Sequence, residues 1–435
     1  MLASVTRYAA ECGTGRGCPT GPRGPTRRPS RITTTREFNM THKTRLFAST
    51  VLALGLAAPA MAQDVPASAN DDVLKIGLIY TLSGPPAALG VQARDGFMLA
   101  AERIGEIGGM ETEIIVVDDE GRPDLAADKA RELVQRENVD FVVGPIFSNI
   151  LMAIHQPVTS TGTILISTNA GTSNFAGAEC NPNFFTTSYQ NDQNHEVMGA
   201  YAEQQGYQNV FLMVPNYQAG KDSVAGFKNS YTGNVAGEVY TELGQLDFSS
   251  ELAQIAAFQP DALFTFMPGG MGVNLVKQYS QAGLTSIPFL SAFTVDETTL
   301  PATQEAAVGL LGGANWAPDM DNEANRTFVS AYIEKYDSVP GTYAMQAYDA
   351  AQLIDSAVRK TGGDLTDRDA LRAAITEADF DSPRGDFSFG ANNYPVQDFY
   401  LVEAVKRDDG YYGTSVKEKI FDDYVDNYAD QCAMQ

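Results

Sequence analysis

The sequence predicts an α/β protein of two similar lobes, each a parallel sheet covered by helices on both faces. Three observations predict it. Short apolar, strand-like runs alternate with helix-spaced ones from Val73 onward, the alternation restarts at Asn209, and no low-complexity linker separates the two series. Repeated β-α-β units imply parallel strands, because a crossover helix is the economical way to re-enter a sheet in the same direction.

The first series reads strand 73–80, helix 91–107, strand 113–117, helix 125–136, strand 139–143, helix 150–158 and strand 163–166. Strands are apolar runs rich in Val and Ile; helices carry apolar residues at i, i+3 and i+4. The second series reads strand 209–214, helix 221–231, strand 235–240, helix 250–258, strand 262–267, helix 273–281 and strand 287–290. Helices follow at 323–335, 343–360 and 369–378. Segments 398–405 and 416–421 then flank Asp408-Asp409-Gly410 and read as a hairpin.

The chain of 435 residues allows a large buried core, and its 44% hydrophobic content argues against disorder. No apolar run reaches the roughly 20 residues of a membrane-spanning helix. The net charge of −24 disfavours a nucleic-acid or anionic-lipid partner, which needs a basic face. Residues 1–62 hold nine basic and two acidic residues, leaving 21 basic against 52 acidic in the remainder. Within that stretch Met40-Thr-His-Lys-Thr-Arg precedes a short apolar segment, 46–58, and Ala60-Met61-Ala62. Basic start, short apolar middle and A-x-A end predict a secretory signal at 40–62, cleaved after Ala62. Residues 1–39, rich in Arg, Pro, Gly and Thr, read as upstream sequence from a mis-assigned start. No Cys follows the apolar segment, so the expected product is exported to the periplasm without a lipid anchor. That leaves Cys180 and Cys432, which in an oxidising compartment read as one disulfide; two buried free thiols are the alternative.

In open α/β sheets, ligands bind beyond the carboxyl ends of the strands, where helix N-termini offer free N–H groups. Three loops of the first series fit: 81–90, 144–149 and 167–172, the last reading Ser-Thr-Asn-Ala-Gly-Thr. Small and hydroxyl residues there suit a carboxylate cradle, although Ser148 and Asn149 could equally be capping a helix. In the second series Tyr217, the Pro268-Gly-Gly-Met-Gly272 loop and Phe293–Asp296 follow strands. Pro268–Gly272 lacks both phosphate-loop frames, so its glycines read as permitting close backbone approach across a cleft. Trp316 sits among polar and turn residues, and Tyr343 near a helix start; core packing is the ordinary role of either. There is no G-x-S-x-G and no H-E-x-x-H, and neither His155 nor His195 has a nucleophile motif beside it. No cofactor, metal site or enzymatic activity is expected.

From Val73 to Cys432 the chain resembles the type I periplasmic solute-binding proteins of the leucine/isoleucine/valine-binding class. The marks are Lys75-Ile-Gly-Leu, Leu82-Ser-Gly-Pro with Gly90 and Gly96, Asp118-Asp119, Val142-Val-Gly-Pro-Ile, Pro215-Asn-Tyr-Gln-Ala-Gly-Lys-Asp, Gly244-Gln-Leu-Asp-Phe and Tyr343-Ala-x-Gln-Ala-Tyr-Asp-Ala-Ala. The resemblance implies two Rossmann-like lobes joined by three hinge crossings. It sets lobe I at 72–189 plus 318–388, and lobe II at 190–317 plus 389–432. It implies one solute in the cleft and delivery to an ATP-driven permease by a monomeric receptor.

Carried over residue by residue, it implies a ligand shell of Leu89, Ser148, Thr168, Asn169, Ala170, Thr172, Tyr217, Gly269, Gly270, Phe293 and Thr294, to which Trp316 and Tyr343 are added as aromatic candidates. Amino-acid binders of this class hold the ammonium on an acidic residue in the last loop. Here that loop reads Ala292-Phe-Thr-Val, with Asp296 further on, so the resemblance leans to an aromatic carboxylate such as a benzoate or cinnamate derivative. Branched-chain amino acids or small amides are the alternative solutes. A ligand-sensing regulator and a secreted hydrolase are the alternatives of another class.

Overall fold

A computed structural model of the protein describes residues 73–434. The expected upstream segment 1–39 and signal 40–62 lie outside the described residues. The first sheet is built from β1 (Val73–Tyr80), β2 (Glu111–Asp118), β3 (Phe141–Val143), β4 (Ile164–Ser167) and β5 (Phe184–Thr186). Its connecting helices are α1 (Ala87–Ile104), α2 (Pro123–Glu132), α3 (Ser148–Thr159) and the short α4 (Ser173–Ala176). All neighbours pair in parallel, in the order β2-β1-β3-β4-β5. Strands β3 and β4 are buried on both faces, as a parallel sheet between helix layers requires. Helix α1 begins four residues earlier than the hydrophobic period indicates, because Pro85 and Pro86 preset the entering turn and Ala87 N–H donates to Gly84 O at 3.1 Å.

The second series comprises α5 (Gln193–Gln204), β6 (Asn209–Pro215), α6 (Gln218–Asn229), β7 (Asn234–Thr241), α7 (Ser249–Phe258), β8 (Ala262–Thr265), α8 (Gly270–Gln281), β9 (Phe289–Ser291), α9 (Leu300–Thr303) and β10 (Leu311–Ala314). Its parallel strands run β7-β6-β8-β9-β10, the same order as the first sheet. Then come α10 (Glu323–Tyr336), α11 (Thr342–Lys360) and α12 (Arg368–Thr376), with α11 lying along α1. The chain ends in β11 (Ser388–Phe389) and the hairpin β12 (Pro395–Lys406) and β13 (Tyr412–Tyr424), which extends the second sheet antiparallel beside β10.

Several elements escape the hydrophobic pattern, among them α4, α9 and β11. Strand β5 is only three residues long. Strand β10 contains Gly312-Gly313, which carry no apolar side chain to mark a strand; a Cβ on Gly313 would stand 2.1 Å from Asn194 O. Helix α5 opens with Gln193-Asn-His-Glu, polar residues that are all buried, so its N-terminal half has no apolar face to detect.

The chain crosses between the sheets three times: after β5, after β10 and between α12 and β12. One carbonyl ties the crossings together. Ser188 O accepts hydrogen bonds from Asn315 Nδ2 (3.4 Å), Gln397 Nε2 (2.7 Å) and Arg384 Nη1 (3.2 Å). Arg384 is buried and paired with Asp349 at 2.9 Å. After β13 the chain returns towards the first sheet. Tyr428 Oη donates to Asp192 at 2.8 Å, and Cys432 forms a disulfide with Cys180. Among the described residues no helix is long and apolar enough to cross a membrane.

Candidate ligand-binding site

A sheet ordered 2-1-3-4-5 reverses its winding direction between its first and third strands, and the loops there splay apart at the carboxyl edge. Both sheets have that order, and their carboxyl edges face each other. Between them lies a narrow cavity of about 20 Å3, lined from both sheets. All lining residues but Tyr343 stand on a loop or helix start following a strand. Leu89 comes after β1; Ile146, Phe147 and Ser148 after β3; Asn169 and Ala170 after β4. Tyr189, Asn191 and His195 come after β5, Tyr217 and Ala219 after β6, Phe266 and Pro268 after β8, and Phe293 after β9. Tyr343 enters from the start of α11.

The first-lobe wall is a hydrogen-bonding surface. Ser148 opens α3, where the leading N–H groups have no intrahelical acceptor. Its Oγ accepts from Asn191 Nδ2 at 3.0 Å. That amide is itself fixed: Oδ1 accepts from Gly171 N at 2.9 Å, and Nδ2 also donates to Asp222 Oδ2 at 2.8 Å. The arrangement leaves the Ser148 hydroxyl proton directed to no acceptor among the described residues. Asn169 is held by Ile146 O (2.7 Å) and by Tyr189 Oη, which donates to its Oδ1 at 2.7 Å. Gly171 is required here, because a Cβ would stand 1.8 Å from Tyr189 O.

The other wall is aromatic. Tyr189 stacks on Phe293 at 5.1 Å between centroids, and Phe266 meets Phe293 edge-on at 6.0 Å. Tyr217 lies over Phe266 at 6.2 Å and meets Phe147 edge-on at 6.2 Å. His195 meets Phe266 edge-on at 5.1 Å. Such pairs add about 0.5–1.5 kcal/mol each beyond area burial. Phe293 holds a left-handed backbone, φ 54°, costly for a bulky residue.

No charged side chain lines the cavity. Burial pushes the phenols of Tyr189, Tyr217 and Tyr343 upward, so they stay protonated. Burial pushes His195 down to about 3, so the imidazole is neutral. Asp296 stands behind the wall, where its charge raises Tyr189 and Tyr343 further. Its Oδ1 accepts from Thr298 N at 2.8 Å, its Oδ2 has no partner, and burial pushes its pKa up.

Of the residues expected from sequence, the cavity gathers Leu89, Ser148, Asn169, Ala170, Tyr217, Phe293 and Tyr343. The others stand elsewhere. Thr168 Oγ1 pairs with Tyr80 Oη at 3.0 Å beneath the loop. Thr172 caps α4. Thr294 Oγ1 accepts from Met267 N at 2.8 Å. Trp316 is buried, its indole N–H donating to Asn325 at 2.9 Å. Gly269 and Gly270 serve the close approach expected of that loop. Gly269 has φ +60°, and a Cβ there would meet Leu89 of the opposite lobe at 2.9 Å. His155 stacks on Phe175 at 3.8 Å within the first lobe.

Sequence reasoning missed Tyr189, Asn191, His195 and Phe266. The first three lie on the unrecognised crossing and α5. Phe266 was assigned to the strand that stops one residue earlier, at Thr265. Among the described residues no group of His, Cys, Asp and Glu is placed to hold a metal ion.

The pattern of the family described as periplasmic binding protein matches residues 73–410. A Leu/Ile/Val-binding protein homolog 6 from Brucella melitensis is 30% identical over 375 residues, covering 82% of this chain and 94% of that protein. An ABC-transporter solute-binding protein from R. palustris, solved in complex with benzoate, is 32% identical, with a TM-score of 0.78 over 83% of this chain and 99% of that one. Another, from Rhodopseudomonas palustris BisB5 in complex with 3,4-dihydroxybenzoic acid, is 29% identical, with a TM-score of 0.76 over 81% and 99%. With two sheets of one winding order meeting over a shared cavity, and a family pattern that runs through both, the chain belongs to the periplasmic binding proteins.

Proposed function

We propose that the protein is the receptor of an ABC importer, exported to the periplasm after loss of residues 1–62, and that it captures a small aromatic carboxylate. The observation that carries this reading is the Ser148 hydroxyl, oriented by Asn191 as a donor, opposite an uncharged wall of aromatic rings. A carboxylate accepts strong hydrogen bonds from a hydroxyl and from the free N–H groups at a helix start. A flat ring finds stacking and edge partners in Tyr189, Tyr217, Phe266 and Phe293. The family membership and the benzoate bound to the R. palustris relative support the same reading.

Binding proceeds by closure. The carboxylate docks on Ser148 and the Asn169–Ala170 turn, and lobe II brings Tyr217 and Phe293 over the ring. Lobe I is 72–189 with 318–388, and lobe II is 190–317 with 389–432. The solute favours the closed form only by its differential affinity for it. A monomer in that form is what a membrane permease recognises, and no bond is broken; the cavity holds no nucleophile–base pair.

Calorimetry with benzoate, 4-hydroxybenzoate, leucine and valine tests the reading. Aromatic acids bind and the aliphatic amino acids do not. A second reading rests on Asp296, whose unpartnered oxygen lies behind Tyr189 and Tyr343. If leucine binds and Asp296→Asn abolishes it, the solute is an amino acid and Asp296 holds its ammonium.

A further inference from the structure

Beside the ligand cavity lies a second, larger one. It measures about 210 Å3 against about 20 Å3 for the first, and its walls again come from loops and helix starts at the carboxyl edges of both sheets. Pro85, Pro86 and Phe147 supply the first-sheet side, and Leu243, Leu246 and Met271 the second. Phe147 and Pro268 line both cavities, so the two share a partition. The neighbouring contacts across the sheets are van der Waals in kind. A Cβ on Gly269 would meet Leu89 Cδ1 at 2.9 Å, and one on Gly270 would meet Pro85 O at 3.3 Å. Among the described residues no hydrogen bond joins 85–89 to 268–271. Such a seam strands no donor or acceptor when it parts. Leu243 and Leu246 are 41% and 42% exposed, yet their loop is fixed. Gly244 N donates to Met271 Sδ at 3.3 Å, Gln278 Nε2 donates to Leu246 O at 2.7 Å, and Phe248 N donates to Gln278 Oε1 at 2.7 Å. A single exposed leucine needs no explanation. Two on a pinned loop, sharing a pocket with two prolines and a phenylalanine of the other sheet, form a contiguous apolar recess.

We propose that this outer pocket is a second compartment of the binding site, taking an apolar extension carried on the ring, so that the preferred solutes are alkyl-substituted aromatic acids. The inference rests on the aromatic-carboxylate reading above. Occupancy by the solute follows from continuity. The compartment shares Phe147 and Pro268 with the cavity where carboxylate and ring are placed, and Ser148, the carboxylate donor, stands between Phe147 and Asn149, which both line the outer pocket. The size fits as well. An apolar cavity of about 150 Å3 holds a benzene molecule, so about 210 Å3 holds a chain of about four carbons. The lining suits hydrocarbon rather than a second charge, since its one charged residue is Glu120, whose carboxylate opposes an anionic extension.

The test is calorimetry with benzoate, 3-butylbenzoate and 4-butylbenzoate on wild type and on the double variant Leu243→Asp/Leu246→Asp. At least one butyl acid binds wild type about tenfold or more tighter than benzoate, as burial of its added carbons allows. Neither leucine lines the inner cavity and both are already exposed. The double variant therefore keeps its benzoate affinity within about twofold and loses the butyl advantage. A second measurement needs no variant: in protein carrying 13C-methyl methionine, the butyl protons show nuclear Overhauser contacts to the Met271 methyl. No gain from either butyl group overturns the assignment. A gain that survives in the double variant, or one without contact to Met271, overturns it too, because the extension then sits elsewhere. If wild type binds none of the three acids, the aromatic-carboxylate reading itself has failed. Benzoate binding with no butyl gain is a distinct outcome that leaves that reading standing and removes the outer compartment alone.

Discussion

Ser148 owes its role to what its neighbours have already used. Asn191 donates to its oxygen, so the hydroxyl proton is the free half of the group, and Asn191 is in turn locked by Gly171 and Asp222. On the proposed binding mode, Ser148→Ala removes that donor and leaves Asn191 and the solute carboxylate short of a partner. Affinity measured by calorimetry falls by about 1–3 kcal/mol with little change in thermal stability; an unchanged dissociation constant removes Ser148 from the site. Residues of this kind were legible because they stand directly after predicted strands, where the sheet geometry leaves helix starts open. Tyr189, Asn191 and His195 were not, since nothing in a polar stretch distinguishes a solvated loop from a buried crossing. Thr168, Thr172 and Thr294 show the converse error. A hydroxyl in the right loop points at the site or away from it, and one-residue alternation along the loop decides which.

Among the elements, α6 does more than cover its sheet. Its Asp222 carboxylate accepts from Ser173 Oγ at 2.8 Å on α4, from Asn191 Nδ2, and from Gln218 Nε2 at 2.8 Å on its own first turn. One carboxylate thereby clasps the second lobe to the first while orienting the amide that orients Ser148. Asp222→Ala weakens solute binding about tenfold, chiefly through faster release, and small-angle scattering of the solute-free protein shows a more open average shape. The double variant with Ser148→Ala costs less than the two single losses combined, because both act through Asn191; strict additivity means that the clasp and the donor are unrelated. Helix limits read from hydrophobic period were a few residues adrift, and the reason is local. Pro85-Pro86 moves the start of α1 forward, and Gly269 with φ +60° starts α8 earlier than its first apolar residue indicates.

At the scale of the molecule, the repeated sheet order was legible because each β-α-β unit announces itself by period, and chain connectivity leaves few ways to assemble it. The crossings were not, being short, polar and held by side-chain hydrogen bonds such as the three that converge on Ser188 O. Several carboxylates are buried, at the crossings and away from them. Burial pushes Asp192 and Glu297 up to about 7 and Asp349 up to about 6. Each has a folded-state pKa above the ordinary carboxylate value near 4. Its contribution is complete below that value and is lost as pH rises through about 6–7. The contribution of these groups to melting temperature therefore declines from about pH 4 to pH 7, and Glu297→Gln, which keeps an acceptor for Thr414, flattens part of the slope; a slope unchanged in that variant refutes the contribution of Glu297. The Cys180–Cys432 bond closes a separation of 252 residues, and its reduction destabilises the fold by an amount on the order of 3–5 kcal/mol, checked by urea unfolding with and without reductant. Its geometry carries a second consequence. The last strand ends in the second sheet, yet the tail beyond it is moored to the first, alongside Gly177 and Asn392. On the proposed closure of two lobes, this mooring adds a fourth line beside the three crossings and is expected to narrow the swing of the empty form; small-angle scattering of the solute-free protein that is unchanged by reductant refutes that.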